Sequence, residues 1–299
     1  MCGLLLINKP SGITSFGAVN KIRRLTGEKH IGHTGTLDPM ASGVLPVLVG
    51  SATKLSDFLI CSDKSYVATV RLGTLTDTLD ITGKVVKTRP VNVTNEQIDR
   101  ALLNLLGETE QIPPMFSAIK KDGKRLYSIA RKGGTAEIPA RKITVYSIKR
   151  TSDIDENFEF SLSCNVSKGT YIRALARDIG EYLGTGGVLT SLQRTKTLGF
   201  SLSDCVPLDI LTEQNINDYI LPASRAVDGF REVYLTSRQA FRFSNGGGLS
   251  FDRLPVSDFK EGEFVRVNYN GTFLGVAVAD NNIGELKYKC LINPVGKGK

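Results

Sequence analysis

The sequence predicts an α+β fold, on three observations. Phe158 to Val166 alternate apolar and polar side chains almost without interruption, the period of a strand with one buried face. Two segments carry apolar residues at helical spacing, one following Thr14 and Ser15, the other over Gln97 to Leu106. Asn270-Gly271 separates two apolar-rich runs, 264–269 and 273–278, and is the pair that a two-residue hairpin turn favours. At 299 residues the chain has room for a substantial core and two domains.

In chain order, Leu4-Leu5-Leu6-Ile7 reads as a buried strand, since it is too short to span a membrane and lacks a basic leader. Lys9-Pro10-Ser11-Gly12 forms a turn, and Thr14 or Ser15 caps a helix carrying Phe16, Val19 and Ile22 as far as Gly27. Tyr66 to Leu72 has strand propensity and stops at Gly73, whereas Thr76 to Gly83 is loop-like. Ile98, Leu102 and Leu105 form the apolar stripe of the helix over Gln97 to Leu106. Gln111 to Gly134 reads as a long loop and helix in which Lys120, Lys121, Lys124, Arg125, Arg131 and Lys132 are interleaved with Phe116 and Tyr127. That pattern suits RNA, and equally a solvated cationic face. The strand ending at Val166 leads through a Lys168-Gly169 turn to Tyr171 and Arg173, then to a helix with Leu175, Ile179 and Leu183 spaced four apart and Gly184 at its end. Ser201 to Phe230 is a connector with short helical turns, and a small β-rich unit starts near Val233.

The net charge of +8 points to a polyanionic partner, because Lys and Arg that neutralise phosphates release condensed counterions. Five scattered cysteines without a CxxC pair read as reduced thiols of a cytosolic protein. His30 and His33 are the only histidines, which argues against a His- or Cys-based metal site. No Walker loop, GxSxG elbow or GxGxxG fingerprint is present.

The run from Gly32 to Gly43, GHTGTLDPMASG, sets one carboxylate, Asp38, in a turn-rich segment. Its glycines allow close backbone approach, and Pro39 pushes Asp38 away from the helical region. By itself this is as much a structural turn with a capping Asp as a site.

This run, with Leu45-Pro46 and Gly50-Ser51-Ala52-Thr53-Lys54 behind it, resembles the central GHTGxLDPxAxG motif of the TruB family, the bacterial tRNA pseudouridine-55 synthases. Gln111 to Lys120 is similar to the family's QxPPxYSAxK segment, with Phe116 where a tyrosine is usual, and residues 168–173 match its KGTYIR motif unchanged. The resemblance is dense over roughly residues 3 to 200 and loose beyond. It implies a catalytic domain over residues 1–230, with a mixed, mainly antiparallel sheet flanked by helices and loops and an RNA-gripping insertion at about 111–142. A small barrel-like PUA RNA-binding domain is implied over 231–299.

The resemblance also implies the activity, conversion of uridine 55 in the T-loop of tRNA to pseudouridine. Asp38 is then the catalytic residue, as nucleophile at C1′ or base at C2′, and Arg173 the cation that keeps it ionised. Tyr66 matches the tyrosine that stacks on the target uracil, Tyr171 and Leu192 match pocket-lining positions, and core packing is the plain alternative for all three. His33 matches the residue that takes the place of extruded nucleotides, although a lone loop histidine is commonly structural. Lys9 matches a family lysine. The six basic residues from Lys120 to Lys132 are the implied RNA contacts. The isomerisation is redox-neutral, so no cofactor or metal is expected. The expected partner of this cytoplasmic enzyme is the tRNA T-arm, with no membrane and no obligatory protein partner. An RNA glycosylase, a guide-RNA-dependent relative and a non-catalytic RNA-binding protein are the rival readings.

Overall fold

The structure, a computed structural model, describes residues 1–59, 62–117, 119–121, 124–130, 133–134 and 136–295. The chain opens with β1 (Gly3–Lys9), α1 (Ser15–Thr26), β2 (Ile31–His33), β3 (Ser42–Val49), α2 (Ser56–Leu59) and β4 (Lys64–Leu72). A hairpin of β5 (Thr74–Thr76) and β6 (Val85–Thr88), then α3 (Asn95–Asn104) and β7 (Gly107–Gln111), precede a second small hairpin, β8 (Lys120–Lys121) and β9 (Lys124–Arg125), and α4 (Leu126–Ala130). Next come β10 (Arg141–Arg150), β11 (Glu159–Val166), α5 (Ile172–Tyr182) and β12 (Gly187–Thr197). The short strands β13 (Phe200–Ser201), β14 (Val206–Pro207) and β15 (Ile220–Leu221) lead to β16 (Arg231–Tyr234), α6 (Ser237–Ser244), β17 (Leu249–Ser250), β18 (Phe264–Tyr269), β19 (Thr272–Asp280) and β20 (Glu285–Leu291).

Among the described residues the large sheet runs β14-β1-β3-β12-β4-β11-β10-β7, with β13, β15 and β2 added at its sides. Its pairs are antiparallel except β1 with β14 and β3 with β12, so the fold is α+β with a mixed, mainly antiparallel sheet. β11 keeps strict alternation, burying Phe160, Leu162, Cys164 and Val166. Phe158, expected at the start of that strand, lies just before it, exposed and at φ 59°. β3 instead is buried almost continuously from Gly43 to Val49, as a strand covered on both faces must be. On one face Leu45, Val47 and Val49 join the large apolar core that also takes in side chains of α1, α3 and α5, while on the other Val44 and Leu48 share a core with Phe273, Val276 and Cys290 of β19 and β20. The C-terminal sheet, β16-β18-β19-β20-β17, therefore shares a core with the large one.

The local signals read from the sequence act as their chemistry requires. Thr14 accepts the backbone N–H of Gly17, and Gly27 ends α1 in the left-handed region at φ 67°. The buried stripe of α1 is Ser15, Ala18, Val19 and Ile22, so Phe16, one position away from it, is 60% exposed and does not belong to the core as expected. Thr94 and Gln97 form a capping box that starts α3, whose Ile98 and Leu102 are buried. Asn270 and Gly271 both have positive φ, 44° and 72°, and join β18 to β19. No helix among the described residues is long and apolar enough to cross a membrane.

One contact fixes the centre of the sheet. β3 meets β12 in parallel over only two pairs, Ser42 with Gln193 and Gly43 with Arg194. Gly43 has φ 108°, and a Cβ there would come within 2.2 Å of the Arg194 carbonyl oxygen. Replacing Gly43 with alanine thus combines left-handed strain with a backbone clash. We expect Gly43→Ala to cost at least about 1–3 kcal/mol, read as a lowered midpoint in urea unfolding. An unchanged midpoint contradicts the tight seam.

Candidate active site

The segment that carries Asp38 leaves β2 and returns at β3, and its backbone is pinned on both sides of the acid. Ser15 Oγ donates to the Leu37 carbonyl at 3.0 Å and accepts the Leu37 N–H at 2.8 Å. Gly12 N–H donates to the Pro39 carbonyl, and Ser11 Oγ to that of Met40, each at 2.8 Å. A tight turn closes with Ala41 N–H on the Asp38 carbonyl at 3.0 Å. Leu37 and Ala41 are buried, so the loop is anchored by apolar plugs as well as by hydrogen bonds.

Arg173 reaches this loop from the first turn of α5. Its guanidinium is 5% exposed, and its Nε lies 2.8 Å from Asp38 Oδ2, as an ion pair whose N–H is not aligned for a straight hydrogen bond. Its two remaining nitrogens donate at 2.8 Å to the carbonyls of Thr78 and Phe116. Asp80, buried, has Oδ2 3.5 Å from Arg173 Nη1. Asp80 Oδ1 accepts from Thr78 Oγ1, from Thr82 N–H and from Thr82 Oγ1, which holds the 76–83 turn in shape. Three chain segments thus converge on one arginine.

The electrostatics follow. Burial raises the Asp38 carboxyl above the usual carboxylate range, opposed mainly by Arg173 and reinforced by the neighbouring charge of Asp80. A third of the Asp38 side-chain surface remains accessible, so the acid is partly desolvated and still open to a ligand. Lys9 is fully buried, donates at 2.8 Å to the carbonyls of Pro10 and Ile13, and is pushed down to about 8 by burial, with Asp38 acting against the shift. It is a structural cation within electrostatic reach of the acid.

Tyr66 and Arg194 sit opposite each other on β4 and β12. Arg194, 1% exposed, donates through Nε to the Val44 carbonyl at 2.7 Å and through Nη2 to that of Gly35 at 3.2 Å. Its guanidinium also faces the Tyr66 phenol, whose burial raises its pKa despite that cation. Among the described residues no carboxylate lies within ion-pair distance of Arg194. His33 is partly buried with Nδ1 unpartnered, and burial lowers its pKa.

Asp38, Arg173, Tyr171, Tyr66 and Lys9 are accordingly gathered around one loop: Tyr171 precedes Arg173 at the start of α5, and both tyrosines feel the charge of Asp38. Leu192 is buried opposite Ala68 within the main core. Lys120, Lys121, Lys124 and Arg125 belong to the β8–β9 hairpin, and Arg131 and Lys132 lie outside the described residues. Sequence reading missed Asp80 and Arg194. Asp80 sits in a Thr/Asp-rich turn that looks like any polar loop, and Arg194 in a strand whose neighbours Gln193 and Thr195 give no sign of burial.

The fold is that of a pseudouridine synthase: a chain in the crystal structure of a Cbf5-Nop10-Gar1 complex superposes with a TM-score of 0.73 at 25% identity, covering 93% of this chain and 78% of that one. Residues 23–172 match the family model described as the TruB family pseudouridylate synthase N-terminal domain, and residues 173–228 the tRNA pseudouridylate synthase B C-terminal domain. The chain belongs to the TruB family. It is 43% identical to a tRNA pseudouridine synthase B of Clostridium kluyveri over 93% of this chain and 96% of that protein. Identity is 41% to the protein of the same name from Aromatoleum aromaticum, over 98% and 93% of the two chains.

Arg173→Met leaves Asp38 and Asp80 side by side without their cation, and breaking such a pair costs about 3–5 kcal/mol. Since Arg173 is what chiefly holds the Asp38 carboxyl down, its removal raises that carboxyl further. The loss is therefore largest near neutral pH and shrinks as pH falls through the folded-state values of Asp38 in variant and parent, both of which lie above the unfolded value of about 3.9. Urea melts of variant and parent at several pH values measure this, and a pH-independent difference contradicts it.

Proposed function

We propose that this chain converts uridine 55 in the T-loop of tRNA to pseudouridine, with Asp38 as the catalytic carboxylate. The observation that carries the reading is the Asp38–Arg173 ion pair at 2.8 Å, on a pinned loop, with part of the carboxylate left accessible. The reaction breaks C1′–N1, rotates the base and forms C1′–C5; the proton on C5 leaves and N1 gains one, so nothing is oxidised or reduced. A carboxylate beside C1′ serves it either by attacking that carbon or by taking the C2′ proton. Arg173 counters the burial that would otherwise keep Asp38 protonated. A target base reaches such a site only when flipped from its stack, at a cost of about a few kcal/mol, and Tyr66 and Tyr171 are the proposed walls that receive it.

The tRNA substrate rests on the names of the relatives and on the +8 charge. The hairpin bearing Lys120, Lys121, Lys124 and Arg125 is the proposed grip on the RNA backbone, with Arg131 and Lys132 as its continuation in sequence. Residues 1–230 form the proposed catalytic domain and 231–299 the proposed PUA-like RNA-binding domain.

Asp38→Asn is expected to abolish pseudouridine formation, mapped by carbodiimide labelling of unmodified tRNA, while tRNA binding stays within a few fold. Turnover by that variant overturns the assignment, and loss of label when the target uridine is replaced tests the position. In the parent protein the rate falls as pH drops through the raised Asp38 pKa, so the acid limb of the profile lies above the ordinary carboxylate value of about 3.9. Replacing Lys120, Lys124 and Arg125 together is expected to weaken tRNA binding and to flatten log affinity against log salt. An unchanged slope removes the hairpin from the footprint.

A further inference from the structure

We propose that Gln111 is a positioning residue that sets the aim of Arg173 on Asp38, an inference that rests on the catalytic reading of that pair. Gln111 is the last residue of β7, where the insertion leaves the sheet, and its partner across the ladder, Arg141, is where the chain returns. A glutamine at a sheet edge is ordinarily solvated, yet this one is 1% exposed. Its amide is used at both ends: Oε1 accepts the Tyr171 N–H at 2.8 Å, and Nε2 donates to the Tyr171 carbonyl at 3.2 Å.

Tyr171 is the N-cap of α5, and its own side chain does not cap the helix. Gln111 therefore supplies from another element a backbone clamp at the point where the helix begins. Arg173 lies two residues further on, inside the first turn, so any shift or rotation of that cap displaces the guanidinium with it. The same segment is strapped to α5 twice more, by Arg173 on the Phe116 carbonyl at 2.8 Å and by Arg177 on the Ile112 carbonyl at 3.1 Å. Gln111 through Phe116 thus runs over the start of α5 as a strap whose first buckle is the Gln111 amide. The insertion that carries the basic hairpin and the helix that carries the catalytic cation share this root, so the geometry of the pair depends on the strap being seated. Displacement by about 1 Å of a group that must be placed for reaction costs roughly a hundredfold in rate.

The test compares Gln111→Met, close in volume and without polar atoms, with Gln111→Glu, which keeps the acceptor for the Tyr171 N–H and loses the donor. Single-turnover rates against pH are measured on unmodified tRNA, alongside affinity and thermal midpoint. Gln111→Met is expected to lower the maximal rate at least tenfold with affinity for tRNA within threefold. It should also move the acid limb to higher pH, because a misaimed Arg173 no longer holds the Asp38 carboxyl down. Gln111→Glu should recover part of the rate. An unchanged rate and acid limb in Gln111→Met, whatever its thermal midpoint, overturns the proposal and assigns Gln111 to stability alone. If the Met variant does not fold, Gln111→Glu decides: a lowered rate at parent affinity supports the proposal, and the parent rate overturns it. Asp38→Asn run in parallel separates the two levels, since activity in that variant defeats the catalytic reading, whereas its inactivity beside a fully active Gln111→Met defeats only the positioning role.

Discussion

A buried guanidinium must find acceptors, and much of the architecture around the site is the consequence of satisfying one, that of Arg173. Its three nitrogens reach the carbonyls of Thr78 and Phe116 and the carboxylate of Asp38, with Asp80 close by. These groups come from the loop before β3, the turn after β5 and the segment after β7, which have no reason of local propensity to meet. Leaving a cation of this kind unpaired in the interior costs more than any one of the contacts returns, so the loops are held where the acceptors are needed. The proposed function draws on the same arrangement. Burial drives the Asp38 carboxyl toward its neutral form and Arg173 drives it back, so the charge state of the acid depends on how closely the cation is aimed.

The sheet provides the rigid frame for that balance. Gly43 lets β3 touch β12 in parallel, which lays the end of the Asp38 loop against Arg194. Arg194 in turn holds the carbonyls of Gly35 and Val44 and faces Tyr66, so the loop and the tyrosine are fixed by one side chain. On the far face of β3 the C-terminal sheet packs through Phe273, Val276 and Cys290, with Phe58 and Phe230 flanking Phe264 at ring-centroid distances of 5.0 and 5.8 Å. The C-terminal unit is fused to the frame by a shared apolar core.

Features governed by neighbours in sequence were legible before the structure. The alternation of β11, the Thr14 cap, the apolar stripe of α3 and the Asn270-Gly271 turn are all decided within a few residues. Only family resemblance pairs Asp38 with Arg173 in the sequence, because 135 positions separate residue 38 from residue 173 and no spacing rule spans them. Asp80 and Arg194 went unnoticed for the same reason: what sets them apart is burial beside a distant partner, and a Thr/Asp turn or an arginine in a strand looks alike in either setting. Gln111 was visible as part of a motif, yet its role depends on a helix that begins sixty residues later. Phe16 is a different case, since an apolar residue one position outside the buried stripe looks in sequence like a member of it.

Asp38 and Arg173 are paired at 2.8 Å and set each other's electrostatics as one unit. A double-mutant cycle on unfolding free energy at neutral pH, with Asp38→Asn, Arg173→Met and the two combined, reads their coupling directly. The expected result is a non-additive term within the range of about 0.5–3 kcal/mol found for residues in contact. Additivity within about 0.3 kcal/mol, the behaviour of independent sites, contradicts it.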